Sequence, residues 1–95
     1  MPLAAMAIEI TLPGARSLKD KRAVVRALKD RLRAHFNVSV AEMDHQDAWQ
    51  RATVGVAAIG PDREYLAGLM ARAAAAAAAA LAGQEFELGG VEILE

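Results

Sequence analysis

The sequence contains no cysteine among its 95 residues. That absence excludes a disulfide framework, a thiolate zinc site and a cysteine nucleophile. Long apolar runs are also missing, since the longest uncharged stretch, near 73–83, is mostly alanine and too short to cross a bilayer. Residues 1–6 lack the positive segment of a secretory signal. We therefore expect a cytoplasmic protein that does not enter a membrane.

The short length limits the number of domains. Ninety-five residues fit one domain and leave no room for a second. A chain of this size can build one modest core without disulfides or metals. We therefore expect a single domain over residues 1–95.

Basic residues are scarce outside one segment. From Arg16 to Arg33 there are eight basic and two acidic residues, a net charge of +6. The rest of the chain has three basic and ten acidic residues, a net charge of −7. The formal net charge of −1 therefore hides a strong separation of charge along the sequence.

The first two elements are predicted from hydrophobic periodicity. Large apolar residues alternate with small or polar residues over 5–12, which predicts a strand that ends at Pro13-Gly14. Ser17, followed three residues later by Asp20, resembles a capping box at the start of a helix. The buried stripe of that helix, with spacings of seven, three, four and four, is predicted to be Leu18, Val25, Leu28, Leu32 and Phe36.

Four further elements follow. Two strands are predicted over 38–44 and 51–59, and helix-start residues at 60–62 precede a second helix. Eight alanines at 73–80 favour a helix that can lie close to a sheet. The last strand, 86–94, is expected to be bent at its pair of glycines. The inner side of the second helix is predicted to be Leu66, Leu69, Met70, Ala73, Ala77 and Leu81.

The order of elements predicts the fold class. Strand–helix–strand crossovers are right-handed, which favours an α+β, ferredoxin-like βαββαβ domain with both helices on one face of a four-stranded antiparallel sheet. In this topology the loop 13–17 and the hairpin connection 44–50 lie at the same end. The first two strands flank the third and are about 10 Å apart, so long side chains can join the two loops.

One face of the first helix is predicted to be basic. Its cations recur at spacings of three, four, three and four, and this basic stripe consists of Lys19, Arg22, Arg26, Lys29 and Arg33. Such a stripe can follow a nucleic-acid backbone by neutralising phosphates. The alternative is a solvated surface face paired with acidic residues elsewhere.

The start of the same helix is a candidate anion site. Its first N–H groups have no helical partners and the helix dipole favours negative charge there. Arg16, Lys19 and Arg22 surround Ser17 and could add positive charge for a phosphate. The alternative is an ordinary capped helix, in which Asp20 competes for the same N–H groups.

The hairpin connection carries Asp44, His45 and Asp47. Carboxylates and imidazole can perform acid–base chemistry or bind a metal. The alternative is a polar turn in which aspartate favours the turn geometry. A third interpretation is an exposed ion pair from either aspartate to Arg16 or Lys19, worth about 0–1 kcal/mol.

Aromatic residues are few, and their placement limits the RNA-binding modes. Trp49 either anchors the hairpin on the core or offers a stacking or partner surface. An RNA-recognition motif would need aromatics on the sheet face turned away from the helices. That face instead carries small residues, which fits either a homodimer or exposure to water. Its predicted members are Ala5, Ala7, Glu9, Thr11, Ser39, Ala41, Thr53, Gly55 and Ala57.

Two sequence motifs resemble the YlxP-like family of small bacterial proteins of unknown function. The motifs are Pro13-Gly14-Ala15-Arg16-Ser17-Leu18-Lys19-Asp20-Lys21-Arg22, and Phe36-Asn37-Val38-Ser39-Val40-Ala41-Glu42 with Asp44-His45-Gln46-Asp47-Ala48-Trp49-Gln50-Arg51-Ala52. The resemblance is close over 5–60 and implies a ferredoxin-like fold. It also implies a gene setting among translation-initiation and ribosome-maturation factors. It supplies no established catalytic residues.

Three functional hypotheses follow. We place first a non-enzymatic accessory factor in translation or ribosome maturation, with ribosomal RNA or a ribosomal subunit as partner. The second is a homodimeric protein-interaction module. The third is an enzyme or small-ligand binder that uses His45. No nucleotide-binding, zinc-protease or Ser–His–Asp motif is present, and we expect no cofactor and no metal.

Overall fold

The computed structural model describes residues 1–45 and 47–95, and Gln46, within the predicted hairpin connection, lies outside the described residues. The elements follow the predicted order, except that the last strand is divided in two. They are β1 (Leu3–Thr11), α1 (Leu18–His35), β2 (Ser39–Asp44), β3 (Arg51–Ile59), α2 (Arg63–Ala80), β4 (Glu85–Leu88) and β5 (Glu92–Leu94).

The strands form one antiparallel sheet with β1 near its centre. The order across the sheet is β2-β3-β1-β4, and β5 also pairs with β1. The β1–β3 register runs from Leu3 opposite Ile59 to Thr11 opposite Arg51. The buried residues of α1 and α2 pack against one face of this sheet. The predicted α+β, ferredoxin-like fold is therefore confirmed.

The predicted bend at Gly89-Gly90 is a break between β4 and β5. The Gly89 N–H donates to the Ala7 carbonyl at 2.8 Å. A Cβ atom at Gly89 would lie 3.0 Å from that oxygen. Glycine therefore allows the chain to stay close to β1 while it passes from one short strand to the next.

Ser17 and Asp20 start α1 as the sequence predicts. The Asp20 N–H donates to Ser17 Oγ at 3.1 Å, and the Arg16 N–H donates to Asp20 Oδ2 at 2.9 Å. Each side chain accepts from an N–H group that the helix cannot satisfy, as in a capping box. This contact fixes where the chain turns from the first loop into α1.

The core confirms one helix stripe and corrects the other. All six residues predicted for the inner side of α2 are buried. In α1, Val25, Leu28 and Leu32 are buried, but Leu18 and Phe36 are only half-buried. Lys21 is the fourth buried residue of α1, a position that the predicted stripe passed over.

Neither helix could serve as a membrane span. Within the residues that the structure describes, no helix combines the length and the apolar character needed to cross a bilayer.

Candidate functional site

The two polar loops meet at one end of the domain, as the topology predicts. The Leu12 N–H donates to the Gln50 carbonyl at 2.9 Å. The Gln50 Nε2 amide lies 3.4 Å from the Ala15 carbonyl and 3.5 Å from that of Pro13. Gln50 therefore fastens the hairpin to the loop that leads into α1.

Lys21 connects α1 to the β2–β3 hairpin from the buried side of the helix. Its side chain is 1% exposed, and Nζ donates to Glu42 Oε2 at 3.0 Å. The same ammonium group donates to the His45 carbonyl at 2.6 Å and approaches the Arg51 carbonyl at 3.4 Å. A buried ammonium group is stable only when its charge and its donors are satisfied. The helix therefore holds both strands of the hairpin from inside the protein.

The sequence contained a signal for this contact. Lys21 lies three residues after Leu18 and four before Val25. Those two steps divide the gap of seven in the predicted stripe, so helical periodicity places Lys21 on the buried side of α1. Because lysine is rarely buried without a partner, burial at this position would also have indicated an acidic residue nearby.

Asp44 and His45 shape the backbone turn at the start of the hairpin connection. His45 has φ 61°, in the left-handed region that histidine adopts more readily than most residues. The His45 N–H donates to Asp44 Oδ1 at 2.9 Å, and the Ala48 N–H donates to the His45 carbonyl at 3.0 Å. These contacts support the polar-turn interpretation of Asp44. The His45 side chain is half-buried.

The third interpretation, an ion pair from Asp44 or Asp47 to Arg16 or Lys19, is not found among the described residues. In the described ranges 1–45 and 47–95, the ion pairs are Lys21–Glu42 and Arg63–Glu95. Asp47 is exposed. Lys21 contacts the hairpin because its side chain points into the protein, whereas Arg16 and Lys19 are exposed. The same described residues contain no group of three or more His, Asp or Glu placed to hold a metal ion.

Trp49 lies on the surface of the hairpin. It is 52% exposed and lines an open depression with Thr11 and Arg51. The structure therefore does not support the interpretation in which Trp49 anchors the hairpin on the core. The exposed indole is instead available to a partner.

At the start of α1, a helical N–H group that an anion could bind is already hydrogen-bonded within the protein. Arg16 and Lys19 are exposed. However, the N–H groups of Arg16 and Asp20 already donate to Asp20 and Ser17. The Asp20 carboxylate accepts from the N–H of Arg16, which precedes α1, and not from the first helical N–H groups, so the predicted competition from Asp20 for those groups is not confirmed.

The basic stripe faces solvent beside the sheet edge. Four of its members, Arg22, Arg26, Lys29 and Arg33, line a shallow cavity of about 260 Å³, which also contacts Glu42 and Asp30. The Arg33 guanidinium group donates to the Val40 carbonyl of β2, which is the edge strand. Neither ion pair of the described residues involves the stripe. The stripe therefore presents four cations along one groove, beside Asp30 and Glu42 and without an ion pair among the described residues.

The charge separation in the sequence becomes a separation between the two sides of the protein. The sheet face opposite the helices carries exposed acidic side chains on β1, β4 and β5, and Arg51 is its basic residue. The acidic residues of this face are Glu9, Glu85, Glu87 and Glu92. An anionic ligand would therefore be attracted to the α1 side and repelled from the sheet side.

Comparison with protein families identifies one match and one curated relative. The family described as "Protein of unknown function (DUF503)" matches residues 3–89. The uncharacterized protein YlxP of Bacillus subtilis (strain 168) is 44% identical over 55 residues, which is 58% of this chain and 60% of that protein. The match thus spans less than two thirds of the relative's length.

Several solved structures share the fold at low sequence identity. The C-terminal segment of the alpha subunit of aIF2 from Pyrococcus abyssi is 19% identical with a TM-score of 0.58, over 92% of this chain and 48% of that one. SnoaB, a cofactor-independent oxygenase from Streptomyces nogalater, is 11% identical with a TM-score of 0.58, over 98% and 91% of the two chains. The de novo designed protein Foldit4 is 14% identical with a TM-score of 0.52, over 99% and 96%. At these low identities, the similarities show a shared fold and nothing about function.

Proposed function

The chain belongs to the DUF503 family of unknown function, and from that premise we propose that it is a non-enzymatic cytoplasmic protein that binds RNA through the basic stripe of α1. The observation that carries the proposal is the groove between α1 and β2. Its cations lie on one helix face, without ion pairs among the described residues. Ribosomal RNA or a ribosomal subunit is the partner we propose, within translation or ribosome maturation.

The spacing of the stripe suits a phosphate backbone. Residues three and four apart on a helix are about 5–6 Å apart at their Cβ atoms. That interval is close to the distance between neighbouring phosphates of an extended or A-form strand, so long cationic side chains can reach successive phosphates. Each neutralised phosphate releases counterions, which makes binding favourable and dependent on salt.

The absence of aromatics on the open sheet face favours backbone contacts over base stacking. Phe86 points toward the core, where it packs on the hydrophobic cluster. The exposed Trp49 lies on the hairpin, outside the sheet. We therefore propose recognition by charge and shape on the α1 side, with the hairpin as an additional contact.

The test is a filter-binding titration with ribosomal RNA at several salt concentrations. The variant Arg22→Gln/Arg26→Gln/Lys29→Gln removes three exposed or half-exposed cations from the stripe. Loss of three phosphate contacts should weaken binding. It should also make the negative slope of log K against log[salt] shallower by about 2.

The matched control removes the same charge elsewhere. Arg31→Gln/Arg63→Gln/Arg72→Gln changes three exposed cations that lie outside the stripe and the hairpin, one on α1 and two on α2. It should retain most of the affinity and the wild-type slope. Equal losses in both variants would show a net-charge effect, and unchanged affinity in the stripe variant would overturn the proposal.

A further inference from the structure

The sheet face turned away from the helices carries an apolar groove of about 610 Å³. Its floor consists of two neighbouring rows of small residues that cross the strands. One row is Ala5, Ala57 and Ser39, and the other is Ala7, Gly55 and Ala41. Met43 lies over Gly55 and is 63% exposed, so it adds a flexible apolar side chain above the floor.

The two rows that border this floor differ in chemistry. The row on one side is an apolar wall of exposed side chains, Leu94, Leu3 and Ile59. The row on the other side is an acidic wall that crosses β4, β1, β3 and β2, and it consists of Glu87, Glu9, Thr53 and Asp44. The groove therefore has one apolar side and one negative side.

We propose that this groove binds a helix of another protein, with an apolar stripe against the floor and basic side chains toward the acidic wall. The inference does not rest on the RNA-binding proposal, because the groove and the basic stripe of α1 lie on opposite sides of the sheet.

The sheet geometry favours a helix as the bound segment. The central strands β1 and β3 are each paired along both edges, so their backbone groups are not available to a segment lying on the face. Such a segment must satisfy its own N–H and C=O groups, as a helix does. Leu3 and Glu9 are six residues apart on β1, which separates the walls by about 20 Å. A helix of about 10–12 Å diameter fits between them.

The acidic wall favours a basic partner. Glu9 and Glu87 are directly opposite each other on neighbouring strands, where like charges repel. A lysine or arginine of the partner would relieve this repulsion, while its apolar stem packs on the alanine floor. A second copy bound through the same face would add its own carboxylates, and a nucleic acid would add phosphates. Both of these would be repelled.

The size of the groove indicates a weak, reversible complex. Walls about 20 Å apart and four strands about 4.8 Å apart enclose about 400 Å² on this chain. A bound helix would therefore bury about 800 Å² in total, at the small end of interfaces and typical of transient contacts. We expect a Kd of about 10–100 µM for a single helix.

The probe is a fluorophore-labelled synthetic peptide of about 18 residues, which forms a helix about 27 Å long. Leucine occupies one helical stripe, lysine the adjacent flank and alanine the other positions. Fluorescence anisotropy with the full chain measures its affinity. A peptide with glutamine in place of lysine should bind about three- to tenfold more weakly. A scrambled peptide without the stripe should lose at least about tenfold.

One pair of protein variants tests the location of the site. Ala57→Arg fills the floor and adds a cation, so it should abolish binding of the lysine peptide. The matched variant Ala75→Arg adds the same charge on the exposed side of α2 and should bind like the wild type. Circular dichroism should show that Ala57→Arg is folded, since Ala57 is exposed in the single chain.

A second pair tests the acidic wall. Glu9→Gln/Glu87→Gln should weaken the lysine peptide about three- to tenfold and leave the glutamine peptide nearly unchanged. The matched variant Glu64→Gln/Glu95→Gln removes the same charge from the first turn of α2 and from Glu95, which pairs with Arg63 of α2. It should bind the lysine peptide like the wild type.

Three results would overturn the proposal. They are equal affinity of the lysine and glutamine peptides, binding of the lysine peptide that Ala57→Arg does not change, and no binding by any of the peptides. Sedimentation of the full chain supplies a further check, with the 10.1 kDa monomer expected. A dimer that Ala57→Arg dissociates would show that a second copy occupies the groove, and would also overturn the proposal.

Discussion

Helices α1 and α2 have the same length of 18 residues and pack on the same face of the sheet, yet they bury different chemistry. The buried side of α1 is three branched apolar residues and the paired Lys21, and its outer side is basic. The buried side of α2 ends in alanines, and Ala73 and Ala77 are fully buried. The difference indicates that α2 contributes close packing, whereas α1 also organises the hairpin and presents charge.

Both helices nevertheless begin in the same way. Asp62 Oδ1 accepts from the Tyr65 N–H at 2.8 Å, as Ser17 Oγ accepts from the Asp20 N–H at 3.1 Å. Local capping therefore does not distinguish the helices. What distinguishes them is the side chains that each one places on its two faces.

The largest expected effect comes from breaking the buried contact of α1. Lys21→Met should lower the free energy of unfolding by about 3–5 kcal/mol, because it leaves a largely buried Glu42 carboxylate without its counter-ion. Urea denaturation measures this loss. The exposed Lys19→Met should change stability by less than about 0.5 kcal/mol.

A double variant sharpens that result. Lys21→Met/Glu42→Leu replaces both charges by apolar groups, which should recover a large part of the lost stability. If Lys21→Met alone were as mild as Lys19→Met, the buried connection would not stabilise the fold as the structure indicates.

The next effect concerns the packing of α2. Ala77→Leu inserts a larger side chain where the helix lies against the core, and should cost about 1–3 kcal/mol. Ala75→Leu, on the exposed side of the same helix, should be nearly neutral. Thermal unfolding of both variants measures the comparison, and equal midpoints would contradict the close packing assigned to α2.

The smallest effect concerns the start of α1. Ser17→Ala removes the acceptor for the Asp20 N–H and should destabilise the protein by about 1 kcal/mol. Ser17→Asp keeps an acceptor and should retain stability near that of the wild type. Chemical denaturation separates the two, and identical losses would show that the contact is not a functioning cap.

Most of the architecture followed from periodicity and turn residues. The bounds of β3 were predicted as the structure has them, and the alternation of β1 and the inner side of α2 were also predicted. The meeting of the loop before α1 with the hairpin followed from topology, and Gln50 confirms it. These features depend on local sequence and on the order of the elements, and both can be inferred from the sequence alone.

The missed features depend on contacts between distant segments. The charged Lys21 was left out of the predicted buried stripe, but its ammonium group donates to Glu42 and to two backbone carbonyls inside the protein. Trp49 was ambiguous because a hydrophobic residue on a loop can turn inward or outward, and only the hairpin geometry decides which.

The most direct test of the RNA-binding proposal is an NMR titration of the ¹⁵N-labelled protein with a ribosomal RNA fragment. We predict the largest shifts at the backbone amides of Arg22, Arg26, Lys29 and Arg33 and in the neighbouring strand β2. The amides of α2 should move little. Shifts concentrated on α2 or on the open sheet face, or no shifts at RNA concentrations that bind in filter assays, would contradict the role assigned to α1.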